Sequence, residues 1–135
     1  MNANELRTGN LLSNPIFRAT VKVHGIVWYN SEEAHRINIG SSVVELETLF
    51  PIPLTEEWLI KFGFTADEQS WFHKKIQAHS FKRNSVSFNT EDNKCIISCR
   101  GFEEVTQVEL KHIKHVHSLQ NLYFALTGEE LTINP

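Results

Sequence analysis

The chain is poor in the residues that staple, kink or loosen a fold. Of its 135 residues two are cysteine, four proline, six glycine and one methionine. Two thiols make no disulfide framework and fit a reducing compartment. Cys95 and Cys99 are four positions apart, which on one strand is roughly 13 Å. A disulfide needs Cα atoms within about 7 Å, so the two should not bridge there. The glycines are scattered at turns and form no phosphate-cradling loop, and neither Gly-x-Ser-x-Gly nor His-Glu-x-x-His occurs. No apolar run approaches a membrane span, and Met1-Asn2-Ala3-Asn4-Glu5 is polar, with no secretory h-region. These absences predict a cytoplasmic protein with no membrane partner. A net charge of −3 excludes wholesale attraction to nucleic acid or anionic lipid, though not a local patch.

What is there is ordinary globular composition, 41% apolar and 21% charged, enough to bury a core. The length predicts a single compact unit over residues 1–135, with sub-halves 1–50 and 51–135 of different texture. In the first half, Gly9-Asn10 turns into a strand at Leu11-Leu12. Phe17, Ala19, Val21 and Val23 alternate with Arg18, Thr20 and Lys22, a strand with one wet face. Gly25 interrupts it, and Ile26–Tyr29, Arg36–Ile39 and Val43–Leu46 follow as short strands. Such closely spaced strands predict a small curled antiparallel sheet or SH3-like barrel.

Pro51-Ile52-Pro53 punctuates the halves. Thr55 then stands as an N-cap, Glu56 and Glu57 favour the helix dipole, and Gly63 follows as a left-handed stop. A short linking helix over Thr55–Phe62 results. Ser70–Ile76 reads as a strand, and Val86–Phe88 and Cys95–Cys99 flank a turn at Asn89–Asn93. Cys99, alternating with Ile97, reads as a small core residue. Thr106–Leu110 alternates again. From Val116 the apolar period changes to three and four, through Leu119, Leu122, Tyr123 and Leu126, with Gly128 as the stop. The expected class is α+β, with an antiparallel sheet of three or four strands packed on a C-terminal helix.

His112, His115 and His117 raise a metal site, but no single helix or strand puts all three on one face. They read as solvated or core-edge side chains, leaving only a site completed by His73 or His79. No metal, no cofactor and no catalytic group is implied.

The anomaly is charge. Between Glu32 and Glu68 eight acids face only Arg36 and Lys61. From Gln69 to Thr90 there is no acid, but there are Lys74, Lys75, Lys82 and Arg83 among Trp71, Phe72, Phe81 and Phe88. Cations interleaved with rings suit an anionic ligand, a single-stranded nucleic acid or nucleotide, with Trp71 as a stacking surface. Alternation predicts Phe72 and Lys74 on one face and Trp71, His73 and Lys75 on the other, which core aromatics and a wet lysine face would also produce. The opposed segments also fit a protein partner or self-association, with Trp28-Tyr29 or Trp58 as anchors.

Three stretches belong together: Asn4–Leu12, Pro51–Phe64 and Val116–Leu131. They resemble a family of small proteins common in Bacteroidetes genomes and their phages or mobile elements. The family's Arg-Ile-Gly-Asn is Arg7-Thr8-Gly9-Asn10 here. The resemblance spans the whole chain and implies a non-enzymatic accessory protein in a bacterial host cell, one that binds a host factor, a nucleic acid or a small signalling molecule. It transfers no catalytic or binding residue.

Overall fold

A computed structural model describes residues 1–30, 34–79, 82–100 and 103–133, without the side chains at positions 77–79, 82, 83 and 100. Glu32, Glu33 and Phe81 of the segments above lie outside the described residues. The chain is α+β: among the described residues, ten strands in three antiparallel sheets, a short middle helix and a longer C-terminal one. Its contacts fall into two units, Met1–Pro53 with His115–Asn121, and Leu54–Lys114 with Leu122–Pro135.

In the first unit β1 (Leu11–Asn14) pairs with β2 (Ala19–Lys22). A separate sheet has the order β3 (Gly25–Tyr29), β4 (Ala34–Asn38), β5 (Val43–Glu45). Among the described residues neither sheet closes, so open sheets stand in place of an SH3-like barrel. Past Lys22 the pairing runs on for one more residue: Val23 N–H donates to Asn10 O and Val23 O accepts the Gly9 N–H (2.8 Å each) before the chain enters β3. Leu6, Leu12, Val23, Ile37, Ile39 and Leu49 form the core.

The strand expected from Phe17 begins two residues later. Asn14 Oδ1 accepts the N–H groups of Ile16 (3.1 Å) and Phe17 (3.4 Å), and Arg18 takes a left-handed φ of 50°. That local hydrogen bonding makes Pro15–Arg18 the hairpin turn and overrides the alternation.

In the second unit α1 (Glu56–Lys61) runs from cap to cap as its sequence dictates. Thr55 Oγ1 accepts the Trp58 N–H at 3.4 Å. At the other end Phe64 N–H donates to Leu59 O (3.0 Å) and Gly63 N–H to Ile60 O (2.9 Å), a Schellman pair that needs the φ of 83° at Gly63. The sheet has five strands, in the order β10 (Val105–Leu110), β9 (Lys94–Arg100), β8 (Lys82–Asn89), β7 (Trp71–His79), β6 (Thr65–Ala66). The extra strand, β6, is two residues long and too short to show alternation. One sheet face is the core: Phe72, Phe88 and Cys95 are register partners and all buried. Cys99 continues that row at the end of β9 but is exposed, because the strand outruns the core beneath it.

The C-terminal helix α2 occupies Val116–Thr127, the span its periodicity predicts. Its first half belongs to the first unit and is held there by two amides. Gln120 Oε1 accepts the Leu11 N–H at 2.8 Å while its Nε2 donates to Gly9 O at 3.1 Å. Asn121 Oδ1 accepts Asn10 Nδ2 at 2.8 Å, and its Nδ2 donates to Glu5 O at 2.7 Å. No helix among the described residues is long and apolar enough to cross a membrane.

Candidate functional site

The other face of the five-stranded sheet is polar and open. Alternation puts Trp71, His73 and Lys75 of β7 on it. The ladder sets His73 beside Ser87 and Ile96, and Lys75 beside Ser85, Ser98 and Gln107. These side chains, with Asp67, Asn84 and Val105, line a groove of about 650 Å³.

A chain of hydrogen bonds crosses the groove. His73 Nδ1 lies 2.6 Å from Ser87 Oγ, and His73 Nε2 lies 2.9 Å from Asp67 Oδ2. Asp67 is itself fixed, since its Oδ1 accepts the N–H groups of Gln69 (2.8 Å) and Trp71 (3.1 Å), closing the loop between β6 and β7. The His73 hydrogen bond, aided by the Gln69 N–H, holds the Asp67 carboxyl below its ordinary range. The imidazole is therefore immobilised through both nitrogens. Sequence reasoning missed this chain, because Ser87 is fourteen residues from His73 and only the register of β7 on β8 joins them.

Asp, His and Ser in sequence of contact invite a nucleophilic reading. The position of Ser87 argues against it. Ser87 is 5% exposed and sits mid-strand between two paired neighbours, so its own N–H is committed to the ladder and cannot serve an oxyanion.

The cations expected to share one ligand are separated by the pleat. Lys75 is exposed on the groove face. Lys74 lies on the core face, where Nζ donates to Phe62 O at 3.0 Å and stands 5.8 Å from the Tyr123 ring centroid. Lys82 and Arg83 open β8, and their side chains, like that of His79, lie outside the described residues. Trp71 does line the groove, its ring 6.4 Å from that of His73 and within 12° of parallel.

No match answers to this chain among family models, curated proteins or solved structures. The site must be read from its own geometry.

The other candidates are dispersed. His115 and His117 rings stack at 5.8 Å, but His112 is exposed elsewhere, and no group of three or more metal-ligating side chains gathers among the described residues. Burial depresses the His117 pKa, reinforced by the charge of His115 and opposed by Glu5 at 3.7 Å. Trp58 is half-buried beneath Lys61 Nζ, 4.9 Å from its ring. Trp28 is 48% exposed on β3.

Proposed function

We propose that the chain is a non-catalytic binding protein whose site is the polar face of the five-stranded sheet. One observation carries this reading. A sheet whose buried core side chains Phe72, Phe88 and Cys95 lie on the far face presents here a groove of about 650 Å³, in which the imidazole is held between Ser87 and Asp67 before any ligand arrives. Preorganisation of that kind lowers the ordering cost of binding. Shape and a few placed polar groups are what small-ligand sites share. The accessory role in a bacterial host implied by the family resemblance is the setting we propose for it. The test is a thermal-shift screen of small polar compounds on the intact chain and on Ser98→Trp, which fills the groove from a half-buried position in its lining. A compound that stabilises the parent and not the variant supports the reading; a library with no such compound sinks it.

Self-association is a second reading, supported by β3. Ile26, Val27 and Trp28 are exposed, and among the described residues only β4 pairs with this strand. An uncharged, apolar edge is a template for another strand. The partner proposed is a second copy. Antiparallel pairing about Val27 would set Ile26 against Trp28 and Gly25 against Tyr29, with no like charges opposed. Arg36 and Glu45, on the strands behind β3, are register partners within one sheet. Light scattering should give a dimer that Val27→Lys converts to monomer; a parent that stays monomeric at high concentration removes the reading.

A further inference from the structure

The two edges of the five-stranded sheet are built differently. At one edge β6 is two residues long and covers only Phe72 and His73 of β7. Past it β7 carries Lys74, Lys75 and a bulge between Lys75 and Gln77. A very short edge strand, lysines and a bulge are devices by which sheets refuse a further strand. At the other edge β10 has none of them. It is six residues long, holds neither lysine nor proline, and meets β9 in an unbroken register from Val105 opposite Arg100 to Leu110 opposite Cys95. Residues 105–109 are all exposed, and among the described residues no strand or isolated bridge lies on the outer side of β10. In an antiparallel ladder every second residue turns its N–H and C=O away from the partner strand. Half of β10 therefore offers its backbone outward, in the form that strand addition uses.

The side chains of this edge define what would add to it. Val105 and Gln107 line the groove face, and Glu109 shares it by alternation. Thr106 and Val108 belong to the opposite face, as register partners of Cys99 and Ile97, and Val108 is 51% exposed. Glu103 and Glu104 lead into the strand, so residues 103–110 hold three carboxylates, all exposed, and no cation. A second copy paired antiparallel about Gln107 would gather both copies' carboxylates on one seam, against a single Lys111 ammonium from each. A strand with lysine or arginine on one face and β-branched apolar residues on the other fits better. Its cations reach the carboxylates, and its apolar row covers Val108.

We propose that β10 takes on an extended basic peptide segment as a sixth strand of the sheet. The proposal goes beyond the groove reading and does not depend on it. Its contacts are ladder hydrogen bonds and edge carboxylates, not the polar groups of the groove.

The experiment is a titration of the isotopically labelled full chain, followed in its amide NMR spectrum. The probe is acetyl-Lys-Val-Thr-Val-Thr-Val-Lys-amide, which reads the same in both directions and so presents the same side chains whether it adds parallel or antiparallel. Saturable shifts are expected along Val105–Leu110 and in β9. The counterpart with glutamate in place of lysine should bind at least about 5-fold more weakly, because opposed like charges replace attractive pairs. Glu109→Lys should erase most of that preference, and a preference left unchanged overturns the proposal. N-methylation of the peptide at its valines or at its threonines tests the ladder. One set of amides faces β10 and its methylation should abolish binding; the other faces solvent and should be tolerated. Equal effects of the two sets overturn strand addition. Shifts of Val105–Leu110 that depend on protein concentration without peptide would assign the edge to a second copy, which also overturns it. So does a titration in which no β10 amide moves, and a groove compound from the thermal screen would then leave the groove reading standing alone.

Discussion

The Gln120 side chain takes the place of a strand for Leu11. Its amide accepts the Leu11 N–H and donates to the Gly9 carbonyl, as a neighbouring backbone would, although 109 residues separate Gln120 from Leu11. Gln120 is 2% exposed, so no water can substitute. Gln120→Ala should cost about 2 kcal/mol or more by leaving a buried N–H and C=O unmatched. Gln120→Glu should also destabilise, since a carboxylate cannot donate to Gly9. Urea denaturation of the two variants measures this, and a loss below 0.5 kcal/mol (roughly the floor for one hydrogen bond) would show that the amide is dispensable.

Gly63 holds a conformation that side chains resist. At a φ of 83°, Gly63→Ala should destabilise the chain by about 1–2 kcal/mol, and Gly63→Asn by less. Equal stabilities for the glycine and alanine forms would mean that α1 can end in another way.

Adjacent lysines should separate function from stability. Lys74→Met removes a donor to the Phe62 carbonyl at the C-terminal end of α1, at a cost of about 1–2 kcal/mol, without affecting ligands in the groove. Lys75→Met should do the reverse. Parallel thermal melts and titrations with a compound found to bind the groove read both, and a Lys74 variant that loses binding while melting normally would contradict the assignment of faces.

Acid should weaken the first unit through His117. Its folded pKa lies below the ordinary 6.5, mainly because burial penalises the charged ring. The unfolded chain therefore binds the proton more readily. The contribution is complete above about pH 6.5 and is lost as the pH falls through the folded value. His117→Leu should flatten the dependence of unfolding free energy on pH in that window. Identical slopes for parent and variant would remove His117 from the account.

Much of this fold is written locally, and those parts were legible. Thr55, Glu56, Glu57 and Gly63 announce both ends of α1, and the spacing from Val116 to Leu126 announces α2. The alternation through β7 also sorted Trp71, His73 and Lys75 from Phe72 and Lys74. What escaped depends on register or on side chains reaching far along the sequence. His73 meets Ser87 only because β7 pairs β8 in one frame. Gln120 and Asn121 look like the polar face of an amphipathic helix until Gly9 and Asn10 are brought to them. The Asn14 side chain, by capping two N–H groups locally, defeated a good alternating pattern. Asp67 left one usable signal: an Asp four residues before Trp71, in a Gln-Ser loop, is the composition of a side-chain-closed turn.

The two thiols should differ in chemistry as they do in place. Burial raises the Cys95 pKa to about 12, so its thiolate is scarce at neutral pH, whereas Cys99 is exposed. A disulfide-exchange reagent should titrate one thiol in the native protein and a second only on unfolding. Two equal, rapid reactions would mean that β9 opens readily.

The make-up of the first unit has a consequence for how the chain is made. Domains that fold during synthesis usually do so from the N-terminal end. Here Met1–Pro53 shares its unit with His115–Asn121. The backbone groups of Glu5, Gly9 and Leu11 wait for partners that the ribosome adds more than a hundred residues later. The sheet of the second unit, which closes its last pairing at Leu110, can form sooner, although that unit also takes in Leu122–Pro135. Met1–Pro53 is thus completed only once Gln120 and Asn121 have been made, and a truncation before Gln120 would strand it with its ladder ends open.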